Sequence, residues 1–168
     1  MVQLVFRQAR VDEAEMVLSV LNDRAAWLRQ RGVAQWPAAF RPDWVTPDLL
    51  GGTTWLATLD GNAVGTMALN WVDPLWPDDG VACYVHRLAA RRCALGLGAK
   101  LLDHATGLVA ARGRQALRLD CVADNDALRR HYRSLGFQHR GDVELPEALL
   151  RWSAPPLIVS RYERPVLA

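Results

Sequence analysis

Residues 81–122, VACYVHRLAARRCALGLGAKLLDHATGLVAARGRQALRLDCV, constrain the possible folds more than any other stretch. A run of β-formers (81–89) passes through Gly96 and Gly98 into a segment of helical period, where Leu97, Leu101, Leu102, Ala105, Leu108 and Val109 share one face. The predicted helix covers 96–112, Gly113 closes it, and ALRLDCV (116–122) reads as a second strand. A strand–helix–strand unit of this kind returns its second strand parallel to the first, by a right-handed crossover. The core should therefore be a helix-covered sheet with one parallel pair inside it.

The flanking sequence adds antiparallel strands. Val2–Arg7 reads as the first strand, followed by a helix from Asp12 carrying Ala14, Val17, Leu18 and Leu21. A second helical piece is expected over Arg24–Arg31, stopped by Gly32. TTWLATLD and AVGTMALNWV flank the Asp60-Gly61-Asn62 turn signal of a hairpin. Asp124 or Asn125 can cap a short helix bearing Leu128, Tyr132 and Leu135, and 137–145 and 157–163 supply the last two strands. The order β-α-α-β-β-β-α-β-α-β-β implies a mixed α/β sheet with helices on both faces. Residues 33–52 stand apart: Pro37, Pro42 and Pro47 alternate with Trp36, Phe40 and Trp44, which predicts a long irregular segment of the kind that often carries function.

Bulk properties narrow the function classes. The 168 residues suit one domain spanning 1–168, and 51% hydrophobic with 23% charged is an ordinary globular profile. A formal net charge of +2 gives no reason to expect a nucleic-acid surface. Lys100 is the only lysine, which fits coding bias in a GC-rich, bacterial genome. No uncharged run approaches the roughly 20 residues of a membrane span, and Met1 opens directly into a strand, so a cytoplasmic location without membrane contact is expected. Cys83, Cys93 and Cys121 are odd in number and lack CxxC pairing, and His86, His104, His131 and His139 form no HxxxH or HxH pair. Neither a disulfide framework nor a metal site is expected.

The glycines of RRCALGLGAK can be compared with three phosphate loops. A P-loop needs GxxxxGK[ST], and Ala99 follows Gly98 here. The dinucleotide fingerprint needs a third small residue where Leu101 stands. The third is a strand–GxG–helix turn, whose bare amides and helix dipole can meet a pyrophosphate. On these residues alone it stands beside a tight turn with no ligand.

The stretch downstream, LRLDCVADNDALRRHYRSLGF, carries Asn125, Tyr132 and Gly136-Phe137. With YVHRLA, GLG and the element order, it resembles the GNAT superfamily of acyl-CoA-dependent N-acetyltransferases. The resemblance implies a GNAT-type mixed, mostly antiparallel twisted sheet with a V-shaped opening between two central parallel strands. It implies acetyl-CoA as co-substrate, with the main chain of Leu88, Ala89 and Ala90 pairing with the pantetheine arm. The amides of Ala94, Leu95, Gly96, Leu97, Gly98 and Ala99 would hold the pyrophosphate, and Asn125 would face the pantetheine. Tyr132 matches the tyrosine that protonates the departing thiolate, a phenol of ordinary pKa near 10 being protonated at neutral pH. As a bare residue it reads instead as a core tyrosine on an amphipathic helix. Two departures stand out: Cys93 replaces the usual Arg or Gln, and Ala94 replaces the second family glycine. Arg91 and Arg92 are the nearby positive charges.

On the acceptor side, His86 is the candidate base, on the strand beside the expected thioester, with a solvated or paired strand histidine as the alternative. Trp36, Trp44 and Trp76 suggest an aromatic-walled pocket for a small amine, and Asp78 or Asp79 a partner for a cationic one. Trp55 and Trp71 are expected in the core, and Cys93 is read as a packed loop residue. The expected activity is direct acetyl transfer to a small-molecule or peptide amine. A longer acyl-CoA, or a degenerate module that binds CoA or another small ligand without turnover, remains as an alternative. Nothing in the residues sets the oligomeric state, and a homodimer stays open.

Overall fold

A computed structural model describes residues 1–167. Seven strands form one sheet: β1 (Leu4–Gln8), β2 (Thr54–Leu59), β3 (Asn62–Asn70), β4 (Ala82–Ala90), β5 (Ala116–Val122), β6 (Gln138–Glu144) and β7 (Ile158–Pro165). Their order is β1-β2-β3-β4-β5-β7-β6, and only β4 and β5 run parallel. β7 slots between β5 and β6, so the last hairpin completes the sheet antiparallel to β5.

Four helices cover it: α1 (Ala14–Gln30), α2 (Pro42–Leu50), α3 (Leu97–Ala111) and α4 (Asp126–Ser134). Leu97, Leu101, Leu102, Ala105 and Val109 of α3 bury their stripe against Met67, Val85 and Leu117, the face that the helical spacing predicts. Val17, Leu18, Leu21 and Ala25 of α1 pack with Val45 and Leu49 of α2 over Leu56 and Ala89. The two clusters lie on opposite faces of the sheet. Among the described residues no helix is long and apolar enough to cross a membrane.

Two local expectations are corrected. The two helical pieces expected over 12–31 are one continuous helix, because no breaker separates Leu21 from Ala25. The segment 33–52, expected to be irregular throughout, contains α2: Pro42 stands at its first position, where its missing N–H costs nothing. Pro47 lies inside that helix.

One glycine is fixed by close approach. A Cβ on Gly65 would lie 2.7 Å from Leu97 Cδ2 and 3.0 Å from Leu101 Cδ1. That bare position lets the first turn of α3 settle onto β3, which sets where the loop before α3 ends.

Candidate active site

The site is built on a divergence. β4 and β5 pair only from Ala82–Ala116 to Tyr84–Arg118, and beyond that point their register ends. β4 continues to Ala90 paired with β3 alone, while β5 continues to Val122 paired with β7. The edge of Leu88, Ala89 and Ala90 that faces β5 is therefore unpaired, a template on which an extended ligand can add as a strand. A bulge sharpens the split. Thr66 pairs with Ala89 and Ala68 with His86, so Arg87 and Leu88 together oppose Met67. Arg87 takes a left-handed φ of 49° there.

The GLG turn lies at the end of that open edge. Gly96 has φ 74°, a left-handed conformation that a side chain disfavours, and caps α3. The amides of Ala94 and Leu97 donate to Arg91 O and Ala94 O within the turn. Those of Leu95, Gly96, Gly98 and Ala99 have no protein acceptor among the described residues. Four of the six expected donors thus remain for an anion, at the positive end of a helix 15 residues long. A Cβ added at Gly98 would meet no protein atom within 4 Å, so open space lies over that position. These features fit the pyrophosphate of a CoA thioester.

Positive charge reaches the turn from an unexpected direction. Arg91 is spent on structure, its guanidinium donating to Ser19 Oγ (2.6 Å) and Ala63 O (2.9 Å). Arg92 instead lies 5.8 Å from the centre of the Trp27 ring, which Arg24 of α1 and Arg31, the residue after that helix, also stack on at 4.2 and 4.4 Å. None of these three forms an ion pair among the described residues, and burial together with Arg31 and Arg92 lowers the Arg24 pKa. Cys93, expected to pack, is exposed, because the turn directs it away from the α3 core.

Three ionisable side chains meet at the opening. His86 Nε2 lies 2.9 Å from Asp73 Oδ2, and atoms of Asp73, His86 and Asp120 all fall within 4.8 Å of one another. Asp73 is buried at the start of the 73–80 loop, where its other oxygen accepts from the Leu75 amide at 2.7 Å. Burial alone would lower the His86 pKa, but the hydrogen bond to Asp73 and the charge of Asp120 raise it. Burial, with Asp73 adding to it, pushes Asp120 up to about 6, against the opposing pull of His86.

Tyr132 lies on α4, the helix that follows β5. It is buried against Phe137 and Tyr162, at ring distances of 5.8 and 6.1 Å, and its hydroxyl has no hydrogen-bond partner among the described residues. Burial raises its pKa, assisted by Cys121 and Asp120. Asn125 Oδ1 caps α4 by accepting from the Leu128 amide, and its Nδ2 reaches Gln35 Oε1 at 3.3 Å. Gln35 Oε1 also accepts from the Val122 amide at the end of β5.

The predicted acceptor residues part company. Trp36 and Trp44 both pack edge-on against Phe40, but of the two only Trp44 lines a cavity of about 120 Å³ beside Arg87; Trp36 is partly buried against the α1–α2 cluster. Trp76 lies elsewhere, with Arg118 4.6 Å over its ring and Tyr84 beside it, so it braces the loop that carries Asp73. Asp78 is exposed, and Asp79 pairs with Arg118 at 3.1 Å. Trp55 and Trp71 are partly buried against the α3-side core. The sequence reading missed Asp73, Asp120, Gln35 and Arg24. No spacing links them, since they come from a loop, a strand, an inter-helix segment and α1.

Known proteins match this chain in sequence and in fold. The sequence profile of the acetyltransferase (GNAT) family matches residues 20–137. The chain is 33% identical over 142 residues to the uncharacterized N-acetyltransferase YesJ of Bacillus subtilis, covering 77% of this chain and 79% of that one. A GNAT-family acetyltransferase structure from Listeria monocytogenes superposes with a TM-score of 0.75 at 21% identity, covering 96% of this chain and 94% of that one. YncA of Salmonella typhimurium, a structure with its cofactor acetyl-CoA, has a TM-score of 0.68 at 16% identity, with coverages of 99% and 95%.

Proposed function

The chain belongs to the GNAT family of N-acetyltransferases, and from that premise we propose that it moves an acetyl group from acetyl-CoA to the amine of a small molecule by direct attack within a ternary complex. The observation that carries the reading is the divergence of β4 and β5 with acid–base groups on both sides of it. The open edge of Leu88–Ala90 would align the pantetheine arm, the free amides of Leu95, Gly96, Gly98 and Ala99 would hold the pyrophosphate, and Asn125 and Gln35 would border the arm. When bound, acetyl-CoA supplies the thioester carbonyl at the mouth of the V. Arg92, Arg24 and Arg31 add the positive charge that Cys93 does not.

His86 takes the proton from the attacking amine, with Asp73 holding its ring and stabilising the imidazolium that forms. A base whose pKa stands above the ordinary histidine value is better matched to an amine proton. Tyr132 gives its phenolic proton to the departing sulfur. Its raised pKa keeps that proton in place until a thiolate develops, and its unpartnered hydroxyl leaves nothing to displace. Asp120 lies within 4.8 Å of His86, and its charge raises the pKa of both His86 and Tyr132.

Calorimetry with acetyl-CoA, run beside thiol release on an amine panel, tests this. Binding with amine-dependent release is expected, and it should survive Cys93→Ala because no acyl-cysteine is formed. Binding without release would favour a CoA-binding module, and faster release from butyryl-CoA a longer-chain acyltransferase. No CoA binding would overturn all three.

A further inference from the structure

The cavity beside the β4 bulge carries its own chemistry. Its aromatic walls are Phe40, Trp44 and Trp152, with Trp152 5.8 Å from Phe40 and 5.4 Å from Trp44 between ring centres. The only charged residues that line it are Arg87 and Arg151; four leucines and Ser153 make up the rest. Arg87 Nη2 pairs with Asp48 Oδ2. The other Asp48 oxygen is already engaged by Thr53 Oγ1 (3.1 Å) and Asn70 Nδ2 (2.8 Å), so Asp48 stays behind Arg87 and does not line the cavity. Nε and Nη1 of Arg87 have no partner among the described residues, and Arg151 has none at all.

Two guanidiniums against one carboxylate leave the cavity with a net positive charge in apolar surroundings. Burial and the facing Arg151 push Arg87 down to about 10. Arg87, with its left-handed backbone, stands in the β4 bulge directly after His86. An anion held by these arginines would therefore sit one residue from the proposed base.

We propose that this cavity is the acceptor pocket and that it takes a small amine bearing a carboxylate on an apolar or aromatic body, an amino acid with an apolar side chain being the simplest case. The proposal rests on the acetyltransferase reading above. The aromatic walls would cover the body, Arg87 and Arg151 would bind the carboxylate by charge-assisted hydrogen bonds, and the amine would face His86. A polyamine would bring positive charge against two guanidiniums and is disfavoured.

The test is thiol release from acetyl-CoA with paired acceptors: phenylalanine against phenethylamine, tryptophan against tryptamine, leucine against isoamylamine. The same compounds are titrated by calorimetry into the CoA-saturated protein. At least one amino acid should exceed its decarboxylated partner tenfold or more in kcat/KM and in affinity. Arg151→Ala should erase that preference, and Arg151→Lys should keep part of it. Equal or better performance of the decarboxylated amines, or a preference unchanged in Arg151→Ala, would overturn the pocket assignment. If no amine releases thiol, the catalytic reading fails, and the calorimetric preference alone then decides the pocket: its absence overturns the assignment.

Discussion

His86 Nε2 and Asp73 Oδ2 lie 2.9 Å apart, thirteen residues distant in the chain yet joined across the mouth of the sheet opening. Asp73 is buried and His86 is about one-third exposed, so the pair has one side in protein and one toward the opening. This is the geometry of a base with an orienting carboxylate.

The first prediction follows from the sign of that interaction. The folded pKa of His86 is raised, so the imidazolium is favoured and the free base is lost as pH falls through a value above the ordinary 6.5. The acid limb of kcat/KM should therefore lie above pH 6.5. Asp73→Asn should move that limb to lower pH and reduce kcat roughly tenfold to a hundredfold. A limb unchanged in Asp73→Asn would separate His86 from the rate. His86→Gln should lower kcat about a hundredfold or more with acetyl-CoA affinity retained.

Tyr132→Phe removes a hydroxyl that bonds to no protein group, so the melting temperature should change little. The rate should fall about a hundredfold if the phenol is the acid. An unaltered pH–rate profile with full kcat would reassign Tyr132 to the core, where its rings with Phe137 and Tyr162 already belong.

At Gly98, stability and affinity should move in opposite directions. A Cβ meets no protein atom, and the position is helical, so Gly98→Ala should stabilise the fold by about 0.5 kcal/mol. The same methyl group would stand where a phosphate approaches the amides, and Gly98→Val should weaken acetyl-CoA binding tenfold or more. Thermal melting and calorimetry on the same variants check both signs. Undiminished affinity would remove the pyrophosphate from this turn.

Acid stability should report on Glu13. Its side chain is almost fully buried and accepts from Arg7 at 2.7 and 2.8 Å and from the Arg10 amide at 2.8 Å. The Arg7 hydrogen bonds lead in holding its pKa down to about 2, against the ordinary 4.5. A depressed carboxylate contributes stability that is complete above its unfolded pKa and fades as pH falls from about 4.5 toward 2. Glu13→Gln should cost on the order of 2 kcal/mol at pH 7 and flatten the pH dependence of melting across that window.

Much of this was legible in the chain. The period of 97–109 marked the α3 face that is buried, the β-rich flanks of 81–122 marked the parallel pair, and of the two cap candidates Asp124 and Asn125 it is Asn125 that caps α4. These are local properties: periodicity and capping depend on residues within a turn or two of one another. The 33–52 segment was harder to read, because prolines that break a helix interior also start one, and only packing of Val45 and Leu49 on α1 favours the helix.

Sequence alone determined the strand–GLG–helix–strand unit and its parallel pair, and the family resemblance carried the expectation of an opening with Tyr132 beside it. Tertiary structure decided what stands opposite. Asp73 reaches His86 because Arg118 and Trp76 brace the 73–80 loop, Arg24 faces Arg92 because α1 crosses β3 and β4, and Arg87 enters the cavity because the bulge turns it there. Each of these meetings joins residues far apart in the chain. Their cost is loop closure and desolvation, and their return comes only when the whole sheet assembles, so no spacing in the sequence records them.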